Sequence, residues 1–123
     1  MLADVSFEDI DGISIAHVRG EVDRSNAPDL GLTLQEVIQH RSTGLILDFT
    51  ETSYLDSAGL HFIFNLGKRL RDRGQLLELV VPPGSPVAPV LDVVGVESMA
   101  PVAASLDAAL EHMREHAAGL SET

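Results

Sequence analysis

The sequence predicts a single α/β domain, with a mixed, mainly parallel β-sheet and about four helices. Three observations lead there. Short apolar runs of strand length alternate along the chain with longer segments of helical period. The first two strand-like runs are separated only by Asp11-Gly12, a dipeptide suited to a tight hairpin. The 123 residues, 45% apolar and 22% charged, also fit one domain able to bury a core without crosslinks. There is no cysteine, which excludes disulfides and thiolate metal ligands and suits a reducing compartment.

The elements follow in order. "DVSFEDIDG" and "ISIAHVRGEVD" form the hairpin, the second run setting Ile13, Ile15 and Val18 against Ser14 and His17. "RSNAPDLGLTLQEVIQHRSTG" reads as a helix capped by Ser25 or Asn26, with Pro28 in its first turn and Gly44 beyond its end. Its apolar stripe is Leu30, Leu34, Val37 and Ile38. "GLILDFT" is a strand apolar enough to be covered on both faces. A second helix runs from about Ser57 to Arg73 and stops at Gly74, and "QLLELVV" is another buried strand. "PPGSP" turns the chain into a short helix, "VAPVLDVVG", closed by Gly95. "ESMAPVA" is a candidate last strand. "SLDAALEHMREHA" is an amphipathic helix that Ser105 is placed to cap, although Ala108 cannot complete a capping box. The domain is expected over 1–118, with a frayed polar tail over 119–123. Strands separated by helices imply crossovers and parallel pairing, with the first hairpin adding one antiparallel strand.

Charge narrows the partners. Eight basic residues against nineteen acidic ones leave a net charge of −11, a field that repels phosphate backbones. Only "KRLRDR" gathers cations, and an aspartate interrupts it, so no nucleic-acid partner is expected. The acidity serves solubility or a basic protein partner. The N-terminus shows no basic stretch followed by an apolar run, and no segment approaches the ~18 apolar residues of a spanning helix. A cytoplasmic protein without direct membrane insertion is expected.

Working sites in such sheets gather where parallel strands end and helices begin. Asp23 follows one strand and Ser57 the next in sequence, so a crossover helix between them would bring both to one edge. Projected at about 100° per residue, the second helix shows an apolar arc of Leu60, Ile63, Phe64, Gly67 and Leu70, with Phe62 and Leu66 at its far side. Ser57 falls beside His61 and Lys68 at the polar boundary, within reach of a partner. It has three readings. The first is helix capping, by Ser57 or Asp56; the second is a nucleophile, with His61 one turn along; the third is a phosphoacceptor. The nucleophile lacks an orienting group and an oxyanion site, and "DSAGL" is not the G-x-S-x-G elbow. A phosphoacceptor needs only exposure, a helix N-terminus and an enzyme to act on it.

"VRGEVDRSNAPDL", "LILDFTETSYLDSAGL" and "GQLLELVVPPGSPVAPVLDVVGVESMAPVAASLDAALE" resemble, in order, segments of the STAS domain, and most closely those of bacterial anti-sigma-factor antagonists. The likeness spans about 13–111. D-S-[SA]-G-L after a buried strand, combined with an upstream G-E-x-D, is its most specific part. The resemblance implies a non-enzymatic regulator working by partner switching. Unphosphorylated, it binds an anti-sigma factor that is also a serine kinase, which releases a sigma factor. Phosphorylation at the residue matching Ser57 ends binding, and a phosphatase restores it. Asp23 matches the acidic residue of G-E-x-D, and the implied partner surface is Asp23, Asp56, Ser57, Ala58, Gly59 and His61. ATP belongs to the kinase, so no cofactor or metal is implied for this chain. His61 stands where the family commonly has glycine, which bears on which partner fits. Other STAS proteins serve stress-signalling or transporter assemblies without this switch.

"HMREH" matches the zinc-peptidase pattern H-x-x-E-H, yet has no evident third ligand and reads as an exposed helix face. His17, on a strand, and His40, near a helix end, suggest no ligand.

Overall fold

The computed structural model describes residues 3–38 and 43–121. The chain forms β1 (Asp4–Ile10), β2 (Ile13–Val22), α1 (Ala27–Ile38), β3 (Gly44–Asp48), β4 (Thr52–Leu55), α2 (Ser57–Asp72), β5 (Leu76–Val80), α3 (Ala88–Val94), a 3-10 turn (Val96–Ser98), β6 (Val102–Ala103) and α4 (Leu106–Ser121). The sheet order is β1-β2-β3-β5-β6, with β4 branching from β2. Among the described residues only β1–β2 is antiparallel; the pairs β2–β3, β3–β5, β5–β6 and β2–β4 are parallel. The mixed, mainly parallel sheet with four α-helices agrees with the sequence expectation.

The hairpin turns where expected. Ile10 pairs with Ile13, and Asp11 and Gly12 both take positive φ, 54° and 78°, the conformation a two-residue turn demands. Both sheet faces are covered. On one, Leu45 and Leu47 of β3 and Leu77 and Leu79 of β5 pack with Leu30 and Leu34 of α1, Ile63 and Leu70 of α2 and Leu91 of α3. On the other, Ile13, Ile15, Ile46 and Val80 pack against Ala109, Leu110 and Met113 of α4. The continuous apolar run of "GLILD" reflects this double cover. Tight approach fixes Gly44 as well, because a Cβ there would lie 2.4 Å from the Leu76 carbonyl oxygen.

The structure corrects several expectations. Ile13 and Ile15 face α4 while Val18 faces the opposite layer, so the apolar residues of β2 serve two cores. The strand β4 was missed: "TSYL" is four residues long and exposes Ser53 and Tyr54, so it carries little apolar signal. "ESMAPVA" yields a 3-10 turn and only the two-residue β6. In α2, Phe62 and Leu66 are buried and Phe64 is only half-buried. The helix packs against both α1 and the sheet, which widens its buried arc. Ser105 caps α4 through Ala108 N–H, 3.2 Å from its Oγ, and the helix continues to Ser121. His40 and the final two residues of the expected tail lie outside the described residues, as do the side chains of Val37 and Ile38.

Candidate functional site

One edge of the sheet collects the predicted residues, through a strand the sequence did not reveal. Ahead of that edge, β2 leaves β3 after His17 and pairs with β4 from Gly20 onward. The change of partner occurs at a register shift between Gly20 and Glu21, with Gly20 at φ 89°. Glycine tolerates this bulge conformation at no steric cost. Buried Thr52 secures the branch by donating from Oγ1 to the Val18 carbonyl at 2.7 Å. Val22 then pairs with Leu55, and Asp56 N–H donates to the Val22 carbonyl at 3.3 Å. Asp23 and Asp56 thus leave adjacent parallel strands side by side, and both border one shallow depression with Arg24 and Ser25.

The Asp23 loop is self-organised. The Asp23 carboxylate accepts from the backbone N–H and hydroxyl of Ser25, which holds its carboxyl below the usual range. Asn26 is buried and does not act as the expected helix cap. Its Oδ1 accepts from Asp23 N–H at 3.0 Å and its Nδ2 donates to the Glu21 carbonyl at 2.8 Å, locking the loop from behind. Sequence reading missed this role; the short spacing between Asn26 and Asp23 was its only trace.

The α2 start assigns the helix cap. Asp56 is the N-cap, with extended backbone and Oδ1 accepting from Gly59 N–H at 3.1 Å. Ser57 is the first helical residue and is exposed, and among the described residues its hydroxyl has no hydrogen-bond partner. Capping therefore belongs to Asp56, and the Ser57 hydroxyl is spare. His61 is exposed on the next turn and shares the groove between α1 and α2 with Ser57, but no hydrogen bond joins them among the described residues. Ala58 is half-buried. Gly59 is buried, and its role is packing: a Cβ there would fall 2.5 Å from Leu55 Cδ1 and 3.2 Å from Val22 Cγ1. The glycine of "DSAGL" lets α2 start directly against the β2–β4 pair.

The opposite face holds two pairings of histidine with carboxylates. His112 is not a simple exposed face residue. Its Nδ1 lies 2.6 Å from Oε1 of Glu78, a carboxylate only 3% exposed on β5. Burial pushes the Glu78 carboxyl up despite the opposing hydrogen bond, and Glu78 in turn raises His112. His17 bridges Asp48 at 2.7 Å and Glu8 at 2.9 Å. Burial lowers His17, but its two carboxylate partners outweigh that and leave it raised. Among the described residues, no group of three or more His, Asp or Glu side chains is arranged to hold a metal ion. No described helix is long and apolar enough to cross a membrane.

Comparison with known proteins agrees with this architecture. The STAS domain family model matches residues 4–109. A Bordetella bronchiseptica protein, BtrV, which bears the provisional name of anti-sigma factor antagonist, is 32% identical over 106 residues, spanning 85% of this chain and 90% of its own. The crystal structure of an anti-sigma factor antagonist from Mycobacterium paratuberculosis superposes with a TM-score of 0.82 at 26% identity, covering 92% of this chain and 95% of that one. The unphosphorylated form of the anti-sigma factor antagonist SpoIIAA shares the fold, with a TM-score of 0.76 at 19% identity over 91% of this chain and 97% of its own. The chain belongs to the STAS domain family.

Proposed function

On the premise of that membership, we propose that the chain is an anti-sigma-factor antagonist, a binding protein with no catalysis of its own. In this reading it engages a kinase-type anti-sigma factor through the edge formed by Asp23, Asp56, Ser57, Ala58, Gly59 and His61, and so frees a sigma factor. Phosphorylation of Ser57 by that kinase ends the interaction, and a phosphatase restores it. The observation that carries the proposal is the division of labour at the start of α2: Asp56, which shares a depression with Asp23, caps the helix and leaves the hydroxyl of the next residue, Ser57, exposed and unengaged. The name borne by the 32% identical relative supports the same reading.

The energetics favour a switch that spares the fold. A phosphate adds about −1.5 to −2 charges at neutral pH. At a helix N-terminus it gains roughly 0.3–1 kcal/mol. Pressed into an interface beside Asp23 and Asp56, the same group meets desolvation and like-charge costs of about 2–5 kcal/mol. The interface cost is the larger, so binding fails while the domain stays folded.

The test is co-purification with a kinase-type anti-sigma factor, followed by ATP addition and phosphosite mapping. The expected result is a complex that dissociates as phosphate appears on Ser57, with Ser57→Ala remaining bound. Recovery only with components of a signalling or transport assembly, and no phosphate on Ser57, would instead assign the chain to a STAS subunit without this switch.

A further inference from the structure

The groove between α1 and α2 carries a charge unlike the rest of the molecule. It runs from Ser57 along both helices and is floored by Phe62 and Leu66, with Leu32 standing 63% exposed on its wall. Arg24, Lys68 and Arg69 line it, and among the described residues none of the three makes an ion pair. Two carboxylates, Asp56 and Asp72, share the lining, and Asp56 is already engaged as the α2 cap. Three cations against two anions leave the lining at +1, in a chain whose net charge is −11. A surface so acidic overall that keeps unpaired cations around exposed leucine and buried phenylalanine is complementary to carboxylates flanking an apolar side chain.

We propose that this groove docks an acidic amphipathic helix of a partner protein. The geometry favours a helix because two packed helices already form the walls, and a third lays its apolar stripe between them in the helix-in-groove manner. With α1 at 12 residues and α2 at 16, the walls offer roughly 18–24 Å, about three to four turns of ligand helix. Leu32 and the edges of Phe62 and Leu66 meet the apolar stripe, while Arg24, Lys68 and Arg69 face its flanking Asp and Glu side chains. Gly31 leaves the floor open, since even a Cβ there would only touch Phe62, at 3.8 Å. Ser57 sits at one end of the groove. Resting on the phosphorylation reading above, a phosphate there offsets the positive lining and repels the docked carboxylates.

The probes are two synthetic helices with the same leucine and phenylalanine stripe, one flanked by glutamates and the other by lysines, titrated into the full-length protein. Amide shifts are read by NMR. The glutamate helix is expected to perturb Gly31, Leu32, Phe62 and Asn65, and to weaken as salt rises. Leu32→Asp and the Arg24→Glu/Lys68→Glu pair should each weaken it roughly tenfold or more, with unchanged melting. Ser57→Glu should weaken it by a smaller factor. Perturbation of the groove by the lysine helix equally or more strongly, or no groove perturbation by the glutamate helix, overturns the proposal. Capture of a kinase, or failure to capture one, bears on the phosphoswitch alone and leaves this result intact.

Discussion

The Asp23–Asp56–Ser57 edge and the α4 face of the sheet differ in how far their acidic groups reach for partners. At the edge, carboxylates are satisfied by backbone N–H groups of their own loops, Asp23 by Ser25 and Asp56 by Gly59. On the α4 face, side chains from distant parts of the chain take part: buried Glu78 meets His112, and Asp48 binds His17 through one oxygen while its other accepts from Thr50 of its own loop. Local satisfaction leaves the edge residues at the surface, so under the proposed function changes at Ser57 are expected to act on binding. Distant pairing ties α4 and β1 to the sheet, so changes there act on stability.

The largest effect expected on stability is on the α4 face. His112→Ala leaves the Glu78 carboxyl buried without its partner, and urea unfolding should show a loss of about 1–3 kcal/mol. Glu78→Met should cost less, because it removes the buried acid and leaves a half-exposed histidine that water can satisfy. Equal losses in the two variants would break the comparison. Next comes the edge cap: Asp56→Ala should cost about 1 kcal/mol in the same experiment.

That asymmetry also explains what was legible in the sequence. "DSAGL" and "GEVD" advertise a site because their hydrogen bonds run within a few residues, and Pro28, Gly74 and Gly95 mark helix ends by local geometry. The Asn26 lock was harder to see, because an asparagine just before a helix looks like a cap. The β4 strand escaped notice because half of its short length is exposed and it pairs with β2 off the main path of the sheet, beyond a bulge. Glu78 sits inside "QLLELVV", which reads simply as a buried strand, and nothing local indicated that His112, 34 residues on, would cover it. Gly20 was the signal available for the bulge, being a glycine inside a strand pattern.

The smallest effect is in pH dependence. His17 and His112 both have raised values in the folded protein, so the folded state binds protons more tightly than the unfolded one. Their contribution is complete below the unfolded value of about 6.5 and is lost as pH rises through the raised folded values. Since His112 is half-exposed, solvent screening limits the change to about a few tenths of a kcal/mol. Melting temperature should therefore fall slightly above pH 6.5, and His17→Gln/His112→Gln should flatten that slope. A rise over the same range would contradict the assignment.

The central claim is that the edge governs binding independently of the fold, and Ser57→Asp tests it most directly. Its melting curve and its affinity for a kinase-type anti-sigma factor should be measured on the same preparation. The account predicts an unchanged melt together with a loss of about 2–5 kcal/mol in binding. Wild-type affinity at an unchanged melt would contradict it.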